Sequence, residues 1–213
     1  MKKYLAIPVL CLTACTLRAQ QQDAVIHKGN ELYKQKNYEA SQQEYKKALT
    51  ANPKDATANY NNGNAQYRAS KPEDAVASYE HSIENTTDKA MKEKAFYNKG
   101  VALSKQQKLQ ESIEAWKESL KLDATDNEAR ENLQKALMEL KKQQQQKNEE
   151  NKDKKDKKQD QKQQQQEKPQ QQQSKLNKQQ VEQLLKALQQ KEKEIQQKMQ
   201  KGSPQPNKPE KDW

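Results

Sequence analysis

The sequence predicts an all-α chain: a short helical solenoid of about three repeats with a capping helix, then a disordered Gln/Lys-rich linker and a C-terminal amphipathic helix. Three observations carry this. Glycines, aromatics and small residues recur at a spacing of 34, a period typical of stacked helical hairpins. Apolar residues return at helical spacing in two later segments. Between those segments, residues 141–175 contain no aliphatic, aromatic or sulfur-bearing side chain, so they cannot build a core.

The first element is an address. Lys2 and Lys3 precede an apolar run from Tyr4 to Leu17, the charged and apolar regions of an export signal. The run is too short to span a bilayer, which takes about 20 apolar residues. Two processing routes are open: cleavage near Ala19, making residues 1–19 a signal peptide, or lipidation at Cys15, where Leu12-Thr-Ala-Cys15 resembles a lipobox. Either implies export, to the periplasm or the periplasmic face of the envelope. The only cysteines, Cys11 and Cys15, lie in this segment, so the rest of the chain can hold no disulfide framework or Cys-based metal site.

The repeats occupy residues 22–140. Gly29-Asn30-Glu-Leu-Tyr33 aligns with Gly63-Asn64-Ala-Gln-Tyr67, and the same offset relates Ser41 to Ala75, Tyr45 to Tyr79 and Leu49 to Ile83. A third copy starts at Tyr97-Asn-Lys-Gly100 and continues through Ser112, Trp116 and Leu120. Glycine inside a helix costs about 1 kcal/mol relative to alanine, so three in phase imply close helix–helix approach. Ser41, Ala75 and Ser112 allow the same on the second helix of each pair. Tyr45, Tyr79 and Trp116 are placed to fill the space between units. Pro53 follows Leu49 where a helix should stop. Ala129, Leu133, Ala136, Leu137 and Leu140 form one face of a capping helix over Trp116 and Leu120, since a short stack needs its ends covered.

This pattern resembles the tetratricopeptide repeat. Thr87 and Ala124 depart from it by replacing the closing proline, Pro72 takes an aromatic position, and residues 85–88 lengthen one connection. The resemblance implies a concave groove lined by the first helix of each unit, taking extended peptide segments of other proteins. Repeat register places Asn30, Tyr33, Tyr60, Asn64 and Tyr67 there, with Arg68, Lys94, Tyr97 and Val101. Tyrosine brings contact area with a polar tip, and Arg68 and Lys94 bring charge for an acidic or carboxylate-bearing ligand. Asn30, Asn61 and Lys94 match a clamp for a peptide C-terminus, whereas Ile26 and Asn98 stand where that clamp has basic residues. Asparagine at these steps reads equally as structural, bonding to neighbouring backbone.

Beyond the linker, Val181, Leu184, Leu185, Leu188, Ile195 and Met199 form an apolar stripe within residues 176–201, with Asn177 and Gln180 as cap and capping-box partner. The stripe is a second contact surface for a partner, or docks back on the chain's own repeats. It lacks the aromatic anchors of a membrane-surface helix, so the membrane is reached only through the optional lipid. Residues 202–213 hold three prolines and form an extended tail.

Net charge is +10, and residues 141–213 contribute most of it through lysine, with no arginine and only Trp213 aromatic. Nucleic acid, which asks for a basic face on a folded element, is not an expected partner. His27 and His81 occupy unrelated repeat positions, and three of the four glycines are repeat markers. Neither a nucleophile pair nor a phosphate loop can be assembled. No cofactor or metal is expected, and the chain is read as non-enzymatic.

The layout of leader, repeats, Gln/Lys linker, the helix Gln183-Leu-Leu-Lys-Ala-Leu-Gln-Gln-Lys-Glu-Lys-Glu194 and the end Lys211-Asp-Trp213 resembles the BatC family, exported repeat proteins of the Bat aerotolerance operon of Bacteroidetes-like bacteria. That resemblance implies work beside membrane-anchored von Willebrand type A proteins in oxidative-stress tolerance. A periplasmic assembly factor, or a chaperone or coordinator for cell-wall or outer-membrane biogenesis, is the alternative.

Overall fold

The computed structural model describes residues 23–158 and 177–200, with side chains for 23–147 and 177–197. The expected signal segment with Cys15, residues 159–175 of the expected linker, the Met199 side chain and residues 202–213 lie outside the described residues. Those described are helices joined by short turns, without a strand among them, and none of these helices is long and apolar enough to cross a membrane. The chain divides into two compact units at Gln106–Gln107.

The first unit holds α1 (23–34), α2 (Tyr38–Ala51), α3 (Ala56–Arg68), α4 (Pro72–Asn85) and α5 (Lys89–Lys105). Short polar residues open three of these helices by accepting otherwise orphaned N–H groups. Asn37 takes the Ala40 N–H at 3.3 Å, Asp55 the Ala58 N–H at 2.8 Å, and Asp88 those of Ala90 and Met91. Pro72, at a step where the repeat favours an aromatic, instead opens α4 from its first turn, where its missing N–H costs nothing. Lys28 and Lys47 both pair with the Glu44 carboxylate, at 3.0 and 2.9 Å. Their bonds, Lys47's foremost, hold that carboxyl below its ordinary pKa.

Packing follows the repeat markers. A Cβ added to Gly29 would meet the Tyr45 ring at 2.5 Å, and one added to Gly63 would meet Tyr79 at 2.7 Å. Each buried ring therefore lies against helix backbone of its own hairpin. Ser41, fully buried, donates its hydroxyl to the Gly29 carbonyl at 2.9 Å. Tyr45 also joins Ile26, Ala48 and the next hairpin's Ala58 and Ala65 in one apolar cluster. Tyr79 does the same with Ala75 and Ala102. Hairpins are also joined by polar contacts: Gln42 donates to the Ala65 carbonyl at 3.3 Å.

The turns that follow α1, α3 and α5 have a form not foreseen from composition. Lys36, Ser70 and Gln107, in phase with the repeat, have φ of 61°, 60° and 61°, the left-handed region that glycine favours. At the first two, paired backbone bonds close the preceding helix: Lys36 to Tyr33 and Asn37 to Leu32, then Ser70 to Tyr67 and Lys71 to Gln66. This is the Schellman closure, here built without glycine.

The second unit holds α6 (Leu109–Leu122), α7 (Asn127–Lys158) and α8 (Lys178–Gln200). Buried Ile113, Ala115 and Trp116 of α6 and Ala129, Leu133, Ala136, Leu137 and Leu140 of α7 supply its core, with α7 packed on α6. Asp126 caps α7 by accepting the Glu128 and Ala129 N–H groups. Arg130 donates to Asn127 and to the Ala124 carbonyl, both at 2.7 Å. The capping helix does not end at 140: α7 runs on to Lys158, into the segment expected to be a disordered linker. Gln, Lys and Glu all propagate helix well, and a nucleus already formed by the buried turns is extended at little cost.

The C-terminal amphipathic helix is docked on the chain itself. α8 packs on α7, burying Val181 fully and leaving Leu184, Leu185, Leu188 and Ile195 half-buried. Lys141 and Glu182 pair at 3.5 Å across the contact. The expected capping box forms, Asn177 and Gln180 exchanging bonds of 2.9 Å. A contact in cis therefore takes much of the stripe expected to serve a partner.

A left-handed non-glycine residue costs roughly 1–2 kcal/mol, while glycine loses about 0.5–1 kcal/mol of extra chain freedom on folding. Ser70→Gly is therefore expected to raise stability by about 0.5–1 kcal/mol in urea unfolding, and Ser70→Val to lower it. A lower midpoint for the glycine variant would contradict the turn geometry.

Candidate functional site

The tyrosines that fill the hairpins also anchor a polar relay. Tyr45 donates its hydroxyl to Asn30 Oδ1 at 2.6 Å, and the same oxygen accepts from Asn61 Nδ2 of the next hairpin at 3.0 Å. One repeat on, Asn64 Oδ1 accepts from Tyr79 at 2.9 Å and from Asn98 Nδ2 at 2.9 Å, while Asn98 also donates to the Tyr60 hydroxyl at 3.2 Å. Each oxygen thus ties its own hairpin to the following one. Burial pushes the Tyr45 hydroxyl up to about 12 and the Tyr79 hydroxyl well above its ordinary value, because the charged form is disfavoured away from water. At the third repeat, valine at 101 takes the asparagine's step and Trp116 the tyrosine's, so neither the hydroxyl donor nor its amide acceptor is present.

Beside this relay the first unit opens a cleft of roughly 430 Å³. Asn30, Asn61 and Asn64 lie along it with Tyr33, Tyr38 and the edge of Tyr45, and Lys34, Lys36 and Arg68 supply charge. Tyr33 and Tyr38 meet edge to face, with centroids 5.4 Å apart and planes at 63°. The lining contains three cations and no acid. None of the three is ion-paired among the described residues, whereas Lys28 and Lys47 are matched by Glu44 and Lys99 by Glu80.

The structure brings together Asn30, Tyr33, Asn61, Asn64 and Arg68 as repeat register placed them. It does not bring the whole expected groove to one surface. Tyr97 is only 3% exposed, on the α5 stripe that also buries Glu93 and Gly100, so its ring is not offered to a ligand. Tyr60 and Tyr67 are half-buried against the Ala75, Tyr79 and Ala102 cluster. Lys94 is exposed and Val101 half-buried, and neither lines the cleft. Asn30 and Asn61 take the structural role that register left open, except that the bonds join side chains rather than backbone. Ile26 belongs to the apolar cluster, and Asn98 is spent on the relay. His27 and His81 are exposed, beside Glu31 and Glu84.

Lys34, Lys36 and Tyr38 were missed because they sit at the last residue of α1, in the turn after it and at the start of α2, outside the helix positions that register arguments consider. The signal was present as two lysines and two tyrosines within residues 33–38, with no acid among them.

Residues 27–90 and 93–126 each match the tetratricopeptide repeat. These stretches are tetratricopeptide repeats, and such repeats are interaction modules. It is similar to the DnaJ homolog subfamily C member 7 homolog of Schizosaccharomyces pombe, at 29% identity over 62% of this chain and 28% of that protein. The chain thus spans less than a third of that relative. Among solved structures it is similar to the first repeat domain of Spaghetti (RPAP3) bound to the HSP90 peptide SRMEEVD, with a TM-score of 0.51 and 25% identity, covering 57% of this chain and 94% of that one. The N-terminal domain of stress-induced protein-1 from C. elegans shares the fold, with a TM-score of 0.52 and 24% identity over 56% of this chain and 96% of that one.

Removing the Asn64 oxygen strands the buried Tyr79 hydroxyl and one of the two bonds of Asn98 Nδ2, which keeps only Tyr60. A buried group left without its partner costs about 1–3 kcal/mol, so Asn64→Ala is expected to lower stability by roughly 2–4 kcal/mol in urea unfolding. A change within about 0.5 kcal/mol would show that the relay does not bind the hairpins together.

Proposed function

We propose that this protein is a non-enzymatic interaction scaffold of the bacterial envelope that holds an extended, acidic segment of a partner protein in the cleft of its first unit. The observation that carries this is the cleft lining: paired aromatic rings, amide side chains and three cations with no counter-charge. Aromatic faces give contact area to an extended chain, and unmatched cations favour carboxylates over neutral or basic segments. The Spaghetti repeat domain, solved bound to the acidic peptide SRMEEVD, is consistent with a ligand of that chemistry.

Export is supported by the lysine-led apolar leader, and a BatC-like role by the layout of repeats, Gln/Lys segment, amphipathic helix and Lys211-Asp-Trp213 end. On this reading the partners are membrane-anchored von Willebrand type A proteins, and the setting is aerotolerance and oxidative-stress resistance. Docking of α8 in cis leaves the cleft as the principal partner surface.

A photo-crosslinking amino acid in place of Tyr38, in living cells, tests the proposal. Envelope proteins with von Willebrand type A domains should be captured, and Arg68→Glu should reduce capture severalfold. Capture confined to cytoplasmic proteins, or unchanged by Arg68→Glu, would contradict it.

A further inference from the structure

Two ways of gripping an acidic peptide differ in which carboxylate they read. One holds the terminal carboxylate with cations on the first helices of the repeats. In this chain two of those steps carry no charge. Ile26 is 9% exposed and packed with Tyr45 and Ala58. Asn98 is buried, its Nδ2 shared between Asn64 and Tyr60. Of the amides at the clamp steps, Asn61 already donates its Nδ2 to Asn30 Oδ1, which also accepts from Tyr45. Lys94 lies outside the cleft.

The charge that does face the cleft comes from different places. Lys34 and Lys36 belong to the end of α1 and its turn, and Arg68 ends α3. All three are exposed and unpaired among the described residues. They come from two separate elements and share the lining with Tyr33 and Tyr38, so the cleft's charge is not supplied by the clamp steps of the first helices.

We infer that the cleft reads side-chain carboxylates of an internal acidic stretch through Lys34, Lys36 and Arg68, and does not require a free C-terminus. This rests on the proposed peptide-holding role and adds which acids are recognised. Such binding is carried by solvent-facing charge, so it weakens as salt rises.

The test uses the full chain and three peptides in fluorescence anisotropy at low and moderate salt: SRMEEVD as the free acid, SRMEEVD as the C-terminal amide, and the amide with both glutamates replaced by glutamine. The free acid and its amide should bind within about twofold of each other, and the glutamine peptide roughly tenfold more weakly. Lys34→Glu with Arg68→Glu should weaken both glutamate peptides roughly tenfold at unchanged helicity. A tenfold preference for the free acid, or charge reversals that leave binding unchanged, would overturn this inference while leaving the peptide-holding role standing. Failure of all three peptides to bind would remove that role and this inference with it.

Discussion

A tyrosine ring laid against a helix backbone at a glycine is the contact on which the first unit depends. At Gly29 and Gly63 no Cβ stands in the way, so the rings of Tyr45 and Tyr79 enter the space a side chain would fill. That approach sets the spacing of the two helices in a hairpin. It also aims each hydroxyl at an asparagine oxygen, which then takes a second bond from the following hairpin. Apolar packing and polar pairing use the same residue, so hairpins cannot shift relative to one another without losing both. Interiors packed to crystal-like density tolerate little such movement.

The cleft inherits its position from this arrangement. Asn30, Asn61 and Asn64 are fixed as parts of the relay and so form a rigid wall, while Lys34, Lys36 and Arg68 stand free around it. Structural and ligand-facing roles are divided among neighbours: the hydrogen-bonded amides hold the frame, and the exposed cations supply the field. α8 belongs to a different task, covering the apolar face of α7. Arg130, buried in that unit, is shifted to a lower pKa first by desolvation, partly offset by Asp126 and by Glu192 of α8.

Much of the fold was legible because its markers are residue types with a single steric meaning. Glycine, serine and alanine in phase with aromatics require paired helices, and Asn177 with Gln180 announced a capping box that forms. Other features were not legible, for physical reasons. Lys36, Ser70 and Gln107 adopt a backbone conformation that composition assigns to glycine, the first two held there by the helix closures around them. The length of α7 beyond Leu140 depends on helix propagation, which leaves no apolar pattern to read. Asn30 and Asn61 suit either a ligand clamp or a structural bond at the level of residue type, and only the 2.6 Å and 3.0 Å contacts decide between them. Tyr97 looked like a groove residue because its repeat step is right, yet its stripe of α5 is buried.

The measurement closest to the central claim is a double-mutant cycle in urea unfolding between Gly63→Ala and Tyr79→Leu. With the ring present, alanine at 63 should cost about 1–3 kcal/mol from overpacking, more than the roughly 1 kcal/mol that alanine returns in helix propensity. With leucine at 79 that cost should vanish or change sign. An alanine penalty of equal size in both backgrounds would mean that Gly63 is not there to admit the ring.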